Sequence, residues 1–129
     1  MEEKKIKVFV YGTLKKGFGN HSLLNNSKWI TDAFIKGSLF SIEHVDYPAF
    51  LDVGDFDIYG EVYEVNQRTL AQLDDLEGYH GPNDSNNLYE RKEVMAYDQN
   101  DNELFVVSVY IYCPKNRHLL TRIESNNYE

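Results

Sequence analysis

The most regular pattern of hydrophobic and polar positions lies between residues 66 and 79. At about 100° per residue, Leu70, Leu73 and Leu76 fall on one stripe, which predicts a short amphipathic helix. Asn66 is a suitable N-cap and Gly78 a suitable residue just beyond the C-terminus. Both ends of the helix are therefore marked in the sequence.

Runs rich in β-branched and aromatic residues predict strands along most of the remaining chain. We expect strands at residues 6–11, 29–42 (one long or broken strand), 58–65, 89–97 and 104–113. Residues 98–103 would join the last two as an antiparallel hairpin, and 79–88 have the composition of a surface loop. Residues 21–26 suggest a brief helical turn. Residues 44–50 contain a proline and suggest a turn or an excursion of the chain at the edge of the sheet. Residues 115–129 carry only a weak helical pattern.

These elements predict an α+β fold rather than a doubly wound parallel sheet, because strand and helix do not alternate. The expected architecture is a small, mixed and mostly antiparallel sheet, curled into a β-barrel with one helix packed on it. The length of 129 residues suits a single domain, 1–129, with a core at about 6–113 and a C-terminal tail at 114–129.

Composition excludes several classes of partner. A net charge of −8 argues against nucleic acid and against an anionic membrane, both of which need a basic surface. The single cysteine, Cys113, fits a reducing compartment, and the start of the chain lacks the pattern of a secretory signal. The longest apolar run is about half of a membrane span. We expect a cytoplasmic protein.

Glu77 is the first candidate for chemistry. It falls about 40° from the centre of the leucine stripe, whereas Asp74 lies about 100° away and Asp75 opposite. Burial and the helix C-terminus both disfavour a negative charge there, so the pKa of Glu77 should rise and suit a general acid/base. The alternative is a frayed last turn, with Glu77 reaching water beside Gly78.

The glycine-containing loop at residues 12–20 is the second candidate, because exposed N–H groups in a tight turn can bind an anion. It is not a nucleotide-binding motif, since Phe18 and Gly19 stand where Lys and Ser/Thr are required. The alternative is a turn that only leaves the sheet. The four histidines have no metal-ligand spacing, so no metal is expected, and Cys113 fits a small core residue better than a nucleophile.

Two strand faces leave alternatives open. Tyr110 and Tyr112 share a face and suit either a pocket wall or ordinary sheet packing. Tyr89 and Arg91 share another, where Arg91 suits either a substrate carboxylate or an ion pair with an acidic neighbour.

Several short motifs carry a family resemblance. VFVYGTLKKG at 8–17 resembles the N-terminal signature of the gamma-glutamylcyclotransferase-like (AIG2-like) family, and LDDLEGY at 73–79 resembles its acidic signature. YPA at 47–49, GEVY at 60–63 and YER at 89–91 fit the intervening pattern in order. The resemblance extends from about residue 6 to 113, looks most like the gamma-glutamylaminecyclotransferase branch, and leaves the tail after Pro114 unaligned.

The resemblance implies a mixed α/β fold around a β-barrel, with no metal or organic cofactor. It also implies that Glu77 is catalytic and that Tyr11, Gly12, Thr13 and Leu14 hold a gamma-glutamyl group. The expected reaction is cyclisation of a gamma-glutamyl amide or gamma-glutamylamine, a lyase reaction that releases 5-oxoproline and a free amine.

Two alternatives to that reaction remain. One is a non-catalytic domain that binds a small ligand or a protein, and the other is removal of a gamma-glutamyl protecting group from a biosynthetic intermediate. The leaving group would be read by residues 80–88 and by the tail.

Overall fold

The computed structural model describes residues 4–113 and 120–128, which form six strands, one α-helix and a short 3₁₀ turn. The turn is His21–Leu24 and the helix, α1, is Gln67–Leu76. The strands are β1 Ile6–Val10, β2 Lys28–Ile42, β3 Pro48–Val65, β4 Tyr89–Tyr97, β5 Glu103–Tyr112 and β6 Leu120–Arg122.

The strands pair in the order β3-β1-β5-β4-β2-β6, and β2 also pairs with β3. That additional pairing closes the first five strands into a ring. The contact between β1 and β5 is parallel and the other pairings are antiparallel. This arrangement confirms the predicted α+β class and the mixed, mostly antiparallel sheet.

The longest pairing, between β2 and β3, corrects the prediction for residues 44–65. The strand begins at Pro48, ten residues before the predicted start at Ile58. Proline is tolerated as the first residue of a strand, so it does not exclude Pro48 from the ladder with Ser41. Residues 52–57 are all exposed, and this stretch lacks the regular hydrophobic alternation by which a half-buried strand is recognised in sequence.

The C-terminal stretch is also different from its prediction. Leu120–Arg122 form a strand instead of continuing a helical pattern, with Phe40 opposite Arg122 and Ile42 opposite Leu120. An exposed edge of β2 offers unpaired backbone groups, and pairing with them decides the conformation of so short a segment. Residues 114–119 and 129 of the predicted tail lie outside the described residues.

The helix packs over one end of the closed sheet. Leu70 and Leu73 are buried, as predicted, among side chains from β1, β4 and β5. The expectation that Leu76 also packs in the core is wrong, because this residue is 42% exposed at the last turn. This packing brings the C-terminus of α1 close to the end of β1, where the functional candidates lie. No helix in the described part of the chain has the length and apolar character needed to cross a membrane.

Candidate functional site

A cavity of about 270 Å³ opens at this end of the sheet, and both the predicted catalytic residue and the predicted substrate-binding loop after β1 line it. Glu77 reaches it from the end of α1, and Tyr11 to Leu14 reach it from the loop after β1. The remaining lining residues are Phe9, Val10, Asn20, Asp46, Tyr47, Pro48, Leu76, Leu88, Tyr89 and Tyr110.

The backbone at Glu77 is held by capping at both ends of α1. The Asn66 side chain accepts a hydrogen bond from the Thr69 N–H at 2.8 Å, as predicted for an N-cap. Gly78 has a φ of +66°, and the Tyr79 N–H donates to the Asp74 carbonyl at 2.9 Å. These are the features of a Schellman C-terminus, so Glu77 lies on an ordered final turn rather than a frayed one.

The Glu77 carboxyl group faces the cavity without a protein partner. No other described residue makes a hydrogen bond or ion pair with it, and none of its oxygens is sealed from solvent. Burial raises the pKa of Glu77 from 4.5 to about 7, because the surrounding protein removes water from the charged form. The group therefore exchanges a proton near neutral pH and is free to contact a ligand.

The loop after β1 presents backbone donors beside this carboxyl group. The Lys15 N–H bonds to the Gly12 carbonyl at 3.0 Å and closes a tight turn over residues 12–15. Within the described chain, the N–H groups of Gly12, Thr13 and Leu14 donate no hydrogen bond, so they are available to a ligand. A Cβ atom on Gly12 would lie 2.8 Å from Pro48, and this close approach requires glycine.

Neighbouring side chains hold the turn in place. Asn20 donates from its side-chain amide to Thr13 Oγ1 at 2.8 Å and from its backbone N–H to the Thr13 carbonyl at 3.0 Å. The Nδ1 atom of His21 lies 2.9 Å from the Leu14 carbonyl oxygen. The turn is thus held through its carbonyl and side-chain groups, and its N–H groups stay available to other partners.

Three buried tyrosines line the cavity and direct their hydroxyl protons into the protein. Tyr11 donates to the Tyr110 carbonyl at 2.6 Å and Tyr89 to the Pro48 carbonyl at 2.5 Å. Burial, with a further contribution from the Glu77 charge, raises the pKa of Tyr11 well above its ordinary value. These rings are therefore neutral walls of the cavity, and the hydroxyl proton of Tyr11 is already engaged.

Tyr110 and Tyr112 have separate roles, which resolves the alternatives for their strand face. Tyr110 is a cavity wall, whereas Tyr112 does not line the cavity and packs against Tyr89 with 5.4 Å between ring centres. The Tyr110 hydroxyl donates to Asp74 Oδ1 at 2.7 Å.

Arg91 forms an ion pair rather than facing the cavity. Its Nη1 donates to both Asp74 carboxylate oxygens, at 2.6 and 2.5 Å, and its guanidinium lies over the Tyr79 ring. Asp74 therefore links α1 to Tyr110 on β5 and Arg91 on β4, and it supports the cavity wall from behind.

Sequence reasoning missed one part of the cavity wall. Asp46, Tyr47 and Pro48 line it from the turn between β2 and β3, and Asn20 lines it from the loop after β1. The YPA motif at 47–49 was a signal for part of this wall, but it did not indicate what the segment faces.

The loop at residues 80–88, expected to read the leaving group, contributes only Leu88 to the cavity lining. It is tied to itself instead. The buried side chain of Asn87 accepts from the His80 N–H at 2.7 Å and donates to the Gly81 carbonyl at 2.8 Å. These two bonds from one side chain to the backbone at the start of the loop hold the loop in a compact form.

A search of residues 4–113 and 120–128 finds no group of three or more His, Cys, Asp or Glu side chains arranged to hold a metal ion. Cys113 is half-buried just beyond β5, with its N–H bonded to the Leu88 carbonyl at 3.0 Å. It does not line the cavity.

Comparison with known proteins gives a consistent family. The model of the family described as gamma-glutamyl cyclotransferase, AIG2-like, matches residues 8–129. The match therefore includes the C-terminal stretch after Pro114, which the sequence motifs left unaligned. A relative from Methanocaldococcus jannaschii in the same family is 34% identical over 123 residues, covering 95% of this chain and 94% of the relative.

Two further similarities bear on activity and fold. The Niallia circulans protein named gamma-L-glutamyl-butirosin B gamma-glutamyl cyclotransferase is 36% identical over 104 residues, covering 80% of this chain. This chain spans 65% of the length of that protein, and 27% and 60% of the lengths of two relatives from Bacillus subtilis and Vibrio cholerae. The crystal structure of an AIG2-like protein from Mus musculus superposes with a TM-score of 0.76 at 23% identity, covering 97% of this chain and 88% of that one, and shows the shared fold.

Proposed function

We propose that this chain, which belongs to the gamma-glutamyl cyclotransferase, AIG2-like, family, cyclises a gamma-glutamyl amide and releases 5-oxoproline and a free amine. The observation that carries this proposal is the Glu77 carboxyl group, unpartnered and with a pKa of about 7, in the same cavity as the unbonded N–H groups of residues 12–14. This pairs a proton carrier with donors for developing negative charge.

The substrate supplies its own nucleophile in this reaction. The α-amine of the gamma-glutamyl group folds back onto the side-chain carbonyl carbon and closes a five-membered ring. A serine, cysteine or metal-bound water is not needed to attack that carbon. Holding the chain in the folded-back conformation brings the reacting atoms together and accounts for part of the acceleration.

Glu77 serves both proton transfers. As a carboxylate, it takes a proton from the α-amine nitrogen as the new C–N bond forms. As a carboxylic acid, it returns that proton to the leaving nitrogen as the original amide C–N bond breaks. A pKa near neutrality lets one group act in both directions, and Glu77 ends in the state in which it began.

The turn at residues 12–14 binds the acyl end of the substrate. Its N–H groups donate to the glutamyl carboxylate, to the oxyanion that forms on the attacked carbonyl, or to both. The rings of Tyr11, Tyr89 and Tyr110 form the walls and keep water from the ring-closing atoms. The net charge of −8 favours a small molecule over a nucleic acid as the ligand, and the single cysteine fits the reducing conditions of the cytoplasm.

In this proposal the leaving amine lies toward Asn20, Asp46 and Tyr47, which line the cavity together with Glu77 and the turn. The name of the Niallia circulans relative suggests gamma-L-glutamyl-butirosin B as one substrate to try. Removal of a gamma-glutamyl protecting group would use the same chemistry with a larger amine.

The test is 5-oxoproline release from gamma-glutamyl amines, gamma-glutamyl dipeptides, glutathione and gamma-L-glutamyl-butirosin B. We expect turnover of at least one class by the wild-type protein and a loss of about 10³-fold or more in Glu77→Gln, which keeps the shape but cannot carry the proton. Asp75→Asn, an exposed carboxylate on the same helix, is the matched control and should retain activity.

Normal turnover by Glu77→Gln would remove Glu77 from the mechanism. A folded wild-type protein that binds 5-oxoproline or a gamma-glutamyl amine but turns over no member of the panel would instead identify a ligand-binding domain on the same scaffold.

A further inference from the structure

The last described residues of the chain return to the loop that carries the turn at residues 12–14. The Tyr59 N–H donates to the Asn126 carbonyl at 3.0 Å, which places the segment beside β3. The Tyr128 ring then packs on Phe18, with 5.5 Å between ring centres. Residues 126–128, which we term the C-terminal clasp, therefore lie against the outer side of this loop.

Lys15 connects the clasp to the turn. Its side chain is buried, with 4% of the residue exposed, although lysine is almost never buried without partners. Its Nζ atom donates to Asn127 Oδ1 at 2.5 Å and to the Tyr128 carbonyl at 2.6 Å. The same ammonium group lies over the Phe18 and Tyr59 rings, at 5.3 and 5.6 Å from their centres.

A buried ammonium group is costly unless hydrogen bonds and π faces replace the water it has lost. Here the clasp supplies two of the replacing oxygens. Lys15 is therefore stable in this inward position because the clasp is in place, and the clasp is anchored because Lys15 points inward.

This anchor bears directly on the site. Lys15 is the closing residue of the turn, since its N–H bonds to the Gly12 carbonyl at 3.0 Å. The Tyr128 hydroxyl also donates to the Asp46 carbonyl at 2.5 Å, and Asp46 lines the cavity as well. The clasp thus joins the donor turn to the segment before β3, which also lines the cavity, through contacts 82 to 113 residues apart in sequence.

We infer that Lys15 is a positioning residue, which uses the C-terminal clasp to hold the N–H groups of residues 12–14 toward the gamma-glutamyl group. The inference rests on the proposed function for its kinetic consequence. Its structural consequence, an ordered turn in the unliganded protein, does not depend on catalysis. Lys15 itself touches no reacting atom in this account.

The test compares Lys15→Met with Lys16→Met. Both remove one ammonium group from the same loop, but Lys16 is exposed and Lys15 is buried against the clasp. At a temperature where all the proteins remain folded, we expect Lys15→Met to lower kcat/KM about tenfold or more, mainly through KM, and Lys16→Met to change it less than about twofold. A milder variant, Asn127→Ala, keeps Lys15 and removes one acceptor, and it should shift KM in the same direction.

A double-mutant cycle makes the link specific. If Lys15 acts through Asn127, the combined variant should lose little more than Lys15→Met alone, because the Nζ to Oδ1 contact is already gone. Fully additive effects on KM would overturn the link between the two residues. Equal kinetics in Lys15→Met and Lys16→Met would overturn the positioning role.

Hydrogen exchange separates this inference from the proposed function. In the protein without substrate, the amides of residues 12–20 should exchange faster in Lys15→Met and Asn127→Ala than in wild type or Lys16→Met. If the wild type shows no turnover but this pattern is present, the proposed function fails and the clasp stands. If exchange is unchanged in both variants, the clasp does not hold the turn.

Discussion

At the scale of single residues, the decisive feature is a carboxyl group that is desolvated without being paired. Asp74 is satisfied by Arg91 and Tyr110, whereas Glu77 has no such partner among the described residues. Desolvation without compensation is the cause of its raised pKa. Leaving Glu77 desolvated and unpaired therefore lowers the stability of the protein when the group is ionised.

Glu77→Gln should be more stable than wild type at high pH. Below pH 4.5, Glu77 is protonated in both the folded and the unfolded chain. Between pH 4.5 and about 7, only the unfolded chain releases this proton, so the free energy of unfolding of the wild type falls as the pH rises. Above about 7 the wild type has lost up to about 3 kcal/mol, which the amide variant does not lose. Urea unfolding of both proteins at about pH 4 and about pH 8 measures this difference.

Asp75→Asn, on the exposed side of α1, controls for loss of a surface charge. A stability difference between Glu77→Gln and wild type that stays constant with pH would contradict the raised pKa.

At the scale of elements, the end of α1 and the end of β1 are shaped by particular glycines. Gly78, the residue after Glu77, takes a left-handed conformation that ends the helix. The Leu88 Cβ atom lies 3.2 Å from where a side chain on Gly78 would begin. The direction of the Glu77 side chain thus depends on how its helix ends.

Gly78→Ala should reduce activity more than its loss of stability explains. We expect about 1–2 kcal/mol of destabilisation from the positive φ, together with a fall in kcat as the last turn and Glu77 shift. Gly81→Ala is a matched control, because Gly81 also has a positive φ but no atom within 4 Å of its added methyl group. Assay of both variants well below their melting temperatures separates the two effects, and equal kcat values would show that the helix end does not position Glu77.

At the scale of the whole molecule, ring closure of the sheet positions the site. The strand β3 pairs with β2 through Gly60 opposite Ala33, and with β1 through Glu61 opposite Val10. At this crossing the backbone of β3 approaches Phe9 so closely that a Cβ atom on Gly60 would lie 2.4 Å from the ring. The same crossing lies directly before the turn at residues 12–14, at the end of β1.

Gly60→Ala should therefore destabilise the protein by about 3 kcal/mol or more, because Phe9 and the Val10 carbonyl, 2.6 Å away, both resist displacement. Gly19→Ala provides the control, since its added methyl group meets no atom within 4 Å. Thermal unfolding of the two variants gives the comparison. A change of similar size in both would indicate that the β2–β3–β1 crossing is more tolerant than its packing implies.

Local patterns were sufficient for α1, its two caps, the β4–β5 hairpin and the position of Glu77. Their success has a common cause, since capping, turn chemistry and side-chain periodicity act over fewer than about ten residues. The early start of β3 and the strand β6 were not recognised because backbone pairing, rather than a hydrophobic period, stabilises them. Leu76 is exposed for a similar reason: a hydrophobic stripe predicts which face of a helix packs against the core, but not how far along the helix the packing extends.

By itself, the sequence determined an α+β fold, an inward carboxylate at the end of one helix and a tight turn after the first strand. The tertiary structure alone decided that these two features share a cavity, that Asp46 to Pro48 form part of its wall, and that Arg91 pairs with Asp74. It also decided that Lys15 is buried against residues more than one hundred positions away. The reason is physical: local preferences are written in neighbouring residues, whereas the partners that desolvate or satisfy a charged group are selected only when the sheet closes.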